Sequence, residues 1–265
     1  MGKIIVVTSG KGGVGKTTVT AGLGTALSKR NKKVLLADTD FGLRNLDLVL
    51  GVESQVVYDV LDCIDERCEF DDAVISFPDN ENLYFLPASQ SRSGRHIEKD
   101  KFISFFRNLS EDFDYIFLDS PAGLGPVLDM DAELCDEAII VAGTYISSVR
   151  DSDRCIDILE RNKVKDFHLI INTHREELSK KGVLLEPEYV MDILGIPLLG
   201  IVPYDDYQLN RNHDIKDAPS EQAFSNISGR MLGEKIPVNA KEKKKISFSN
   251  KLKNLFNKKN NNGGF

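Results

Sequence analysis

The chain has 265 residues, 41% of them hydrophobic, and a formal net charge of −7. That length suits one large α/β domain or two small ones, and the acidic balance argues against nucleic acid as a ligand of the body. No apolar run reaches the roughly 18 residues that a membrane-spanning helix needs.

The first element is a strand. Ile4 to Thr8 are all apolar or β-branched and read as buried. This run is short and passes straight into a glycine-rich turn, so no signal peptide is expected and a cytoplasmic location is. The turn fits the phosphate-loop pattern G-x-x-x-x-G-K-[ST], with Gly10, Gly15, Lys16 and Thr17 in the fixed places. Glycines let backbone N–H groups curl around a phosphate without Cβ clashes. A helix begins near Lys16 and points its positive end at the anion. Lys16 can reach the β- and γ-phosphates, and the Thr17 hydroxyl can ligate Mg²⁺. Lys11 exceeds what the pattern needs. A second lysine in the loop makes sense if it serves another molecule's phosphate.

Six further apolar runs follow: Lys33–Asp38, Leu83–Ala88, Tyr115–Asp119, Ala138–Ala142, His168–Asn172 and Leu198–Pro203. Most are continuous rather than alternating, as expected of strands covered on both faces. Helical segments lie between them: Val19–Arg30, Tyr58–Asp62, Ile97–Leu109, Ser152–Arg161 and Pro187–Leu194. This alternation predicts a doubly wound, mainly parallel α/β sheet of seven or eight strands, of the P-loop NTPase kind, with helices on both faces. Right-handed crossovers then put the strand C-terminal ends, and any ligand, on one edge. The cysteines, Cys63, Cys68, Cys135 and Cys155, form no C-x-x-C pair, so buried reduced thiols are expected rather than a metal site.

Two strand ends on that edge carry acids. Asp119, closing the run YIFLD, can hold the hydration shell of Mg²⁺. The second strand closes with Asp38-Thr39-Asp40. Asp38 and Asp40 point to opposite sides if the chain is still extended, so only one can face a metal directly. Asp40 lies further out and is the candidate for positioning an attacking water. A strand-end aspartate taken alone can equally be a helix cap or turn residue. Occurring together with the phosphate loop, these acids point to chemistry.

Asp217–Glu234 reads as a last amphipathic helix, and Pro237 opens a linker. The expected division is a P-loop ATPase domain over 1–236, a basic linker over 237–245, an amphipathic helix over 246–259 and a disordered tail over 260–265. At 100° per residue, Phe248, Leu252, Leu255 and Phe256 fall within one arc of about 100°, the width of an apolar helical stripe. Lys251, Lys253 and Lys258 lie outside it. Such a helix suits a lipid surface, its lysines drawn to anionic headgroups. From Lys241 to Lys259 there are eight lysines and one glutamate, which leaves the rest of the chain twice as negative as the total.

The segment KGGVGKTT, with its additional Lys11, resembles the deviant Walker A motif of the MinD/ParA family of P-loop ATPases. Residues 40–47 (DFGLRNLD), 57–59 (VYD), 82–90 (NLYFLPASQ), 119–123 (DSPAG), 147–154 (SSVRDSDR) and 193–200 (ILGIPLLG) are similar to the MinD branch of that family, so the resemblance covers nearly the whole chain. It implies an ATP hydrolase that dimerises on binding ATP and Mg²⁺, two subunits facing each other across two nucleotides. Lys11 would reach the phosphates held by the partner and act like an arginine finger. The catalytic residues implied are Lys11, Lys16 and Asp40. The nucleotide contacts implied are Gly10, Lys11, Gly12, Gly13, Val14, Gly15, Lys16, Thr17, Thr18 and, at the adenine, Asn172. The metal residues implied are Thr17, Asp40 and Asp119. Asp40 and Arg44 would lie in the first switch and Asp119 to Gly123 in the second. The resemblance further implies attachment of the paired tails to anionic lipids on the inner face of the cell membrane. A MinC-like inhibitor would be recruited there to help place the division septum, and a MinE-like activator would stimulate hydrolysis and release. Nucleic acid is not expected as a ligand.

Three segments depart from the pattern: Tyr145-Ile146 stand where the family has Pro-Glu, Pro203-Tyr204-Asp205 where it has Pro-Glu-Asp, and 212–216 replace an element near the base pocket. A ParA-like partitioning ATPase and a nucleotide-dependent scaffold with little turnover are the alternatives.

Overall fold

The computed structural model of the chain describes residues 1–92, 97–205 and 218–238. The amphipathic stretch with Phe248, Leu252, Leu255 and Phe256, the linker residues from 239 on and the departure at 212–216 lie outside the described residues.

An eight-stranded sheet forms the middle layer. Its strands are β1 (Lys3–Thr8), β2 (Val34–Asp38), β3 (Ile75–Phe77), β4 (Asn80–Leu86), β5 (Tyr115–Asp119), β6 (Glu137–Ala142), β7 (Asp166–His174) and β8 (Leu198–Pro203). They lie in the order β3-β4-β2-β5-β1-β6-β7-β8. All neighbours pair in parallel except β3 and β4. The helices are α1 (Lys16–Ser28), α2 (Leu46–Leu50), α3 (Val60–Ile64), α4 (Phe70–Ala73), α5 (Lys99–Leu109), α6 (Pro126–Leu134), α7 (Ile146–Arg161), α8 (Glu176–Lys180), α9 (Pro187–Leu194) and α10 (Pro219–Met231).

The continuous apolar runs have a simple cause. Ile4 and Val6 join a core with α3, α5, α6, α7 and α9, while Ile5 and Val7 join a second core with α1 and α10. The two-residue period is present, but both faces are buried, so every position is apolar. Gly22 on α1 lies so close to the Phe224 ring of α10 that an added Cβ would overlap it. These two helices therefore pack backbone to ring.

Seven of the eight strands fall where the sequence places them. The eighth, β3, is a three-residue antiparallel edge strand whose register shifts at Ser76/Phe77. It is too short to show a period. Helix α7 begins at Ile146, six residues before the expected Ser152, because Tyr145 is extended and ends the preceding loop there. The expected Tyr58–Asp62 helix lies over Val60–Ile64, displaced by the Asp59/Asp62 capping box that fixes its start. Helix α6 was not anticipated. Its Gly125-Pro126 start reads as a turn, but proline also suits the first helical position. Cys63, Cys135 and Cys155 are buried free thiols, and Cys68 is half-buried. No helix among the described residues is long and apolar enough to cross a membrane.

Candidate nucleotide-binding site

The sheet register aligns the acids. Asp119 at the end of β5 lies across from Asp38 on one side and Val7 on the other. The loop between β1 and α1 rises directly beside them. Gly13 and Gly15 have φ of 78° and 82°, the left-handed region that favours glycine. Gly15 also abuts Asn172, whose Nδ2 donates to the Val14 carbonyl at 2.9 Å. Asn172 is fully buried at this point of β7 and braces the loop from behind. Gly10 is pressed against the backbone of Asp151 and Ser152 on α7. The loop is thus held on two sides, and its tip, Lys11 to Gly13, is exposed. A third tie links it to the segment after β5, where Gly123 N donates to the Ser9 carbonyl at 3.1 Å.

The two lysines of the loop have opposite settings. Lys16 is only 6% exposed, and its Nζ lies 3.3 Å from Asp119 Oδ1. The Thr20 hydroxyl, one turn further along α1, lies 3.0 Å from the same oxygen and 3.1 Å from the Lys16 carbonyl. Asp119 Oδ2 is buried with no hydrogen-bond partner among the described residues. Lys11 is exposed, and its Nζ lies 3.4 Å from Ser147 Oγ in the first turn of α7. Tyr145 and Ile146, which precede Ser147, are 59% and 64% exposed, and Leu124, which follows the Gly123 tie to Ser9, is 53% exposed. The departure at 145–146 therefore presents two large apolar side chains on the rim. Thr17 and Thr18 are half-buried beside the loop.

Strand β2 ends at Asp38, and the chain turns there rather than running on extended to Asp40. Asp38 accepts the Asp40 N–H at 2.8 Å and the Leu46 N–H at 3.1 Å, so it ties down the turn leading into α2. Burial, together with the Asp119 carboxylate, pushes its carboxyl up to about 8 against those two N–H donors. Asp40 is also largely buried. Burial raises its carboxyl, and the charge of Lys16 pulls it back down. Arg44 is left-handed (φ 46°) and pairs through Nε with Asp47 Oδ2 at 2.6 Å. Leu43 and Leu48 on the same segment are exposed.

The sequence reading missed one acid, Asp131. It lies fully buried on α6, and its Oδ2 is 3.0 Å from the Thr39 hydroxyl. That hydroxyl is also 3.1 Å from the Asp119 carbonyl. A hydroxyl carries one proton, so it cannot donate to both acceptors at once. Burial pushes the Asp131 carboxyl up to about 7, and its Oδ1 has no hydrogen-bond partner among the described residues. An aspartate in an unrecognised helix gave no signal of this. The Tyr204 departure packs its ring under Arg175, whose guanidinium carbon lies 3.7 Å from the ring centroid.

A parallel doubly wound sheet, a left-handed glycine loop opening onto a helix and a buried lysine beside a strand-end aspartate define a P-loop nucleotide-binding protein. The model of the CobQ/CobB/MinD/ParA nucleotide binding domain matches residues 5–213. The chain belongs to that family and, within it, to the septum site-determining MinD proteins. It is 41% identical to the septum site-determining protein MinD of Synechocystis over 244 residues, covering 89% of this chain and 92% of that one. It is 39% identical to MinD of Helicobacter pylori, covering 97% of this chain and all of that one. The MinC:MinD cell division protein complex of Aquifex aeolicus superposes with a TM-score of 0.82 at 38% identity, covering 89% of this chain and 98% of that one. MinD of Pyrococcus horikoshii complexed with Mg-ADP gives 0.74 at 27% identity, covering 89% and 100%.

Proposed function

We propose that the protein is an ATP-hydrolysing switch that helps place the division septum. One observation carries the reading: a single glycine loop buries Lys16 against Asp119 and leaves Lys11 exposed at an apolar rim. The Gly10–Thr18 backbone and Lys16 bind the phosphates of the subunit's own ATP. Thr17, Asp40 and Asp119 fit Mg²⁺, since hydroxyl and carboxylate oxygens are its preferred ligands and Asp119 Oδ2 is otherwise orphaned. A Mg²⁺ ion held by these residues would supply positive charge against the negative charge of the phosphates. Asp40 orients a water for in-line attack on the γ-phosphorus. The bond to the β–γ bridging oxygen breaks, and ADP and phosphate leave. Asn172, which braces Val14, contributes to the adenine side.

Lys11 serves the partner's ATP, so the dimer is stable only while the γ-phosphate is present. The exposed Leu124, Tyr145 and Ile146 extend that contact. The ATPase body spans 1–236 and a linker 237–245. The 246–259 segment, through Phe248, Leu252, Leu255 and Phe256, attaches to anionic lipid on the inner face of the cell membrane. Two linked tails bind far more tightly than one through effective concentration. The dimer recruits a MinC-like inhibitor, and a MinE-like activator drives hydrolysis and release.

Co-sedimentation with phosphatidylglycerol vesicles tests this. ATP should raise the pelleted fraction over ADP. Lys11→Ala should abolish the difference, and deletion of 246–265 should abolish pelleting without loss of nucleotide binding. Equal pelleting in ATP and ADP refutes the reading.

A further inference from the structure

Asp131 is out of character in its helix. The other buried positions of α6 are Val127, Leu128, Met130, Ala132 and Leu134, an apolar face packed on the sheet. A carboxyl among them costs desolvation and is retained only where its hydrogen bonds matter. Its partner, Thr39, is itself fully buried and stands between Asp38 and Asp40. Thr39 is tied to β5 twice, since its N–H donates to the Asp119 carbonyl at 3.1 Å and its hydroxyl lies 3.1 Å from the same oxygen. Helix α6 follows directly on the Asp119–Gly123 segment, which is bonded to the phosphate loop through Gly123 and Ser9. The Asp131–Thr39 bond therefore closes a ring. It runs from the phosphate loop to the segment after β5, through α6, and back to the segment carrying Asp40.

We propose that Asp131 is a positioning residue for hydrolysis, fastening Thr39 to α6 so that the neighbouring Asp40 keeps its place. Asp131 is fully buried and acts through Thr39. The inference rests on the ATPase reading above.

The test uses the full chain with Mg-ATP and phosphatidylglycerol vesicles, together with amide hydrogen exchange over residues 39–46. Asp131→Ala should lower kcat about tenfold, the rate equivalent of one lost buried hydrogen bond, with KM within about threefold. Exchange over 39–46 should quicken. Asp131→Asn should restore kcat to within about threefold of the unaltered chain, because its amide can keep the hydrogen bond to Thr39. Thr39→Val should match Asp131→Ala, and the double variant should be no slower than either. Three results each overturn the proposal: unchanged kcat and exchange in Asp131→Ala, kcat and KM altered in parallel, or an Asn variant as slow as Ala. If Asp131→Ala does not fold, Thr39→Val decides, and unchanged kcat and exchange there overturn the proposal. If the unaltered chain does not hydrolyse ATP, the ATPase reading fails, while the exchange comparison still decides the role of Asp131.

Discussion

Gly15→Ala separates two reasons why the phosphate loop needs glycine. Gly13 and Gly15 have nearly the same left-handed φ, 78° and 82°. A Cβ at Gly13 meets nothing within 4 Å, whereas a Cβ at Gly15 collides with the Asn172 amide nitrogen. Gly13→Ala should therefore cost only the left-handed strain, about 1–2 kcal/mol. Gly15→Ala carries the same strain and must also displace Asn172, which breaks its 2.9 Å bond to Val14. That adds about 1–3 kcal/mol, for a total of about 2–5 kcal/mol. Urea unfolding midpoints of the two variants, followed by far-ultraviolet circular dichroism, measure the difference. The Gly15→Ala penalty should also shrink by about 1 kcal/mol in an Asn172→Ala background, since the two residues share one contact. Equal midpoints for Gly13→Ala and Gly15→Ala, or strict additivity with Asn172→Ala, refutes the bracing role.

Gly10→Ala should cost about 1–3 kcal/mol in the same assay, because its Cβ meets the α7 backbone, which cannot rotate away. At the opposite edge of the sheet, Glu137 joins Lys3 at 2.8 Å and His168 at 3.0 Å. Burial alone would raise its carboxyl, but the bonds from His168 and Lys3 outweigh it and lower it below the usual 4.5. A depressed acid adds stability that is present above its unfolded value and lost as pH falls through the folded one. The unfolding midpoint should thus drop as pH falls below 4.5, and Glu137→Gln should flatten that slope. An unchanged slope in a pH series of urea titrations counts against the pairing.

The fold was legible because it is repetitive. Seven strands that are buried on both faces leave seven apolar runs, and the turn that breaks the first carries a fixed glycine spacing. What was hidden has a physical cause in each case. Strand β3 is short and irregular. The start of α7 depends on the extended Tyr145, which no propensity marks. At the site, the glycine spacing of the loop and the places of Asp38 and Asp119 at strand ends follow from local sequence. The braces do not. Asn172 supports Val14 from 158 positions away in sequence, Thr20 reaches Asp119 across 99, and Asp131 reaches Thr39 across 92. Contacts of that span exist only once the sheet has set its strand order.

Lys11 and Lys16 are the same residue type in one loop, and burial assigns them different work. Lys16 is the cation nearest a buried Asp119, with Asp40 close enough to feel its charge. Removing it strands the Asp119 carboxylate, a loss of about 3–5 kcal/mol for a broken buried pair. Lys16→Ala should lower the urea midpoint and abolish nucleotide binding together. Among the described residues, the Lys11 ammonium reaches Ser147, at the solvent-exposed rim. Its loss should change stability by no more than about 0.5 kcal/mol, as for surface positions generally. Lys11→Ala should therefore bind a fluorescent ATP analogue as the unaltered chain does, yet stay monomeric in ATP by light scattering. If both lysines shift stability equally, the loop is a single anion cradle and Lys11 has no role beyond its own subunit.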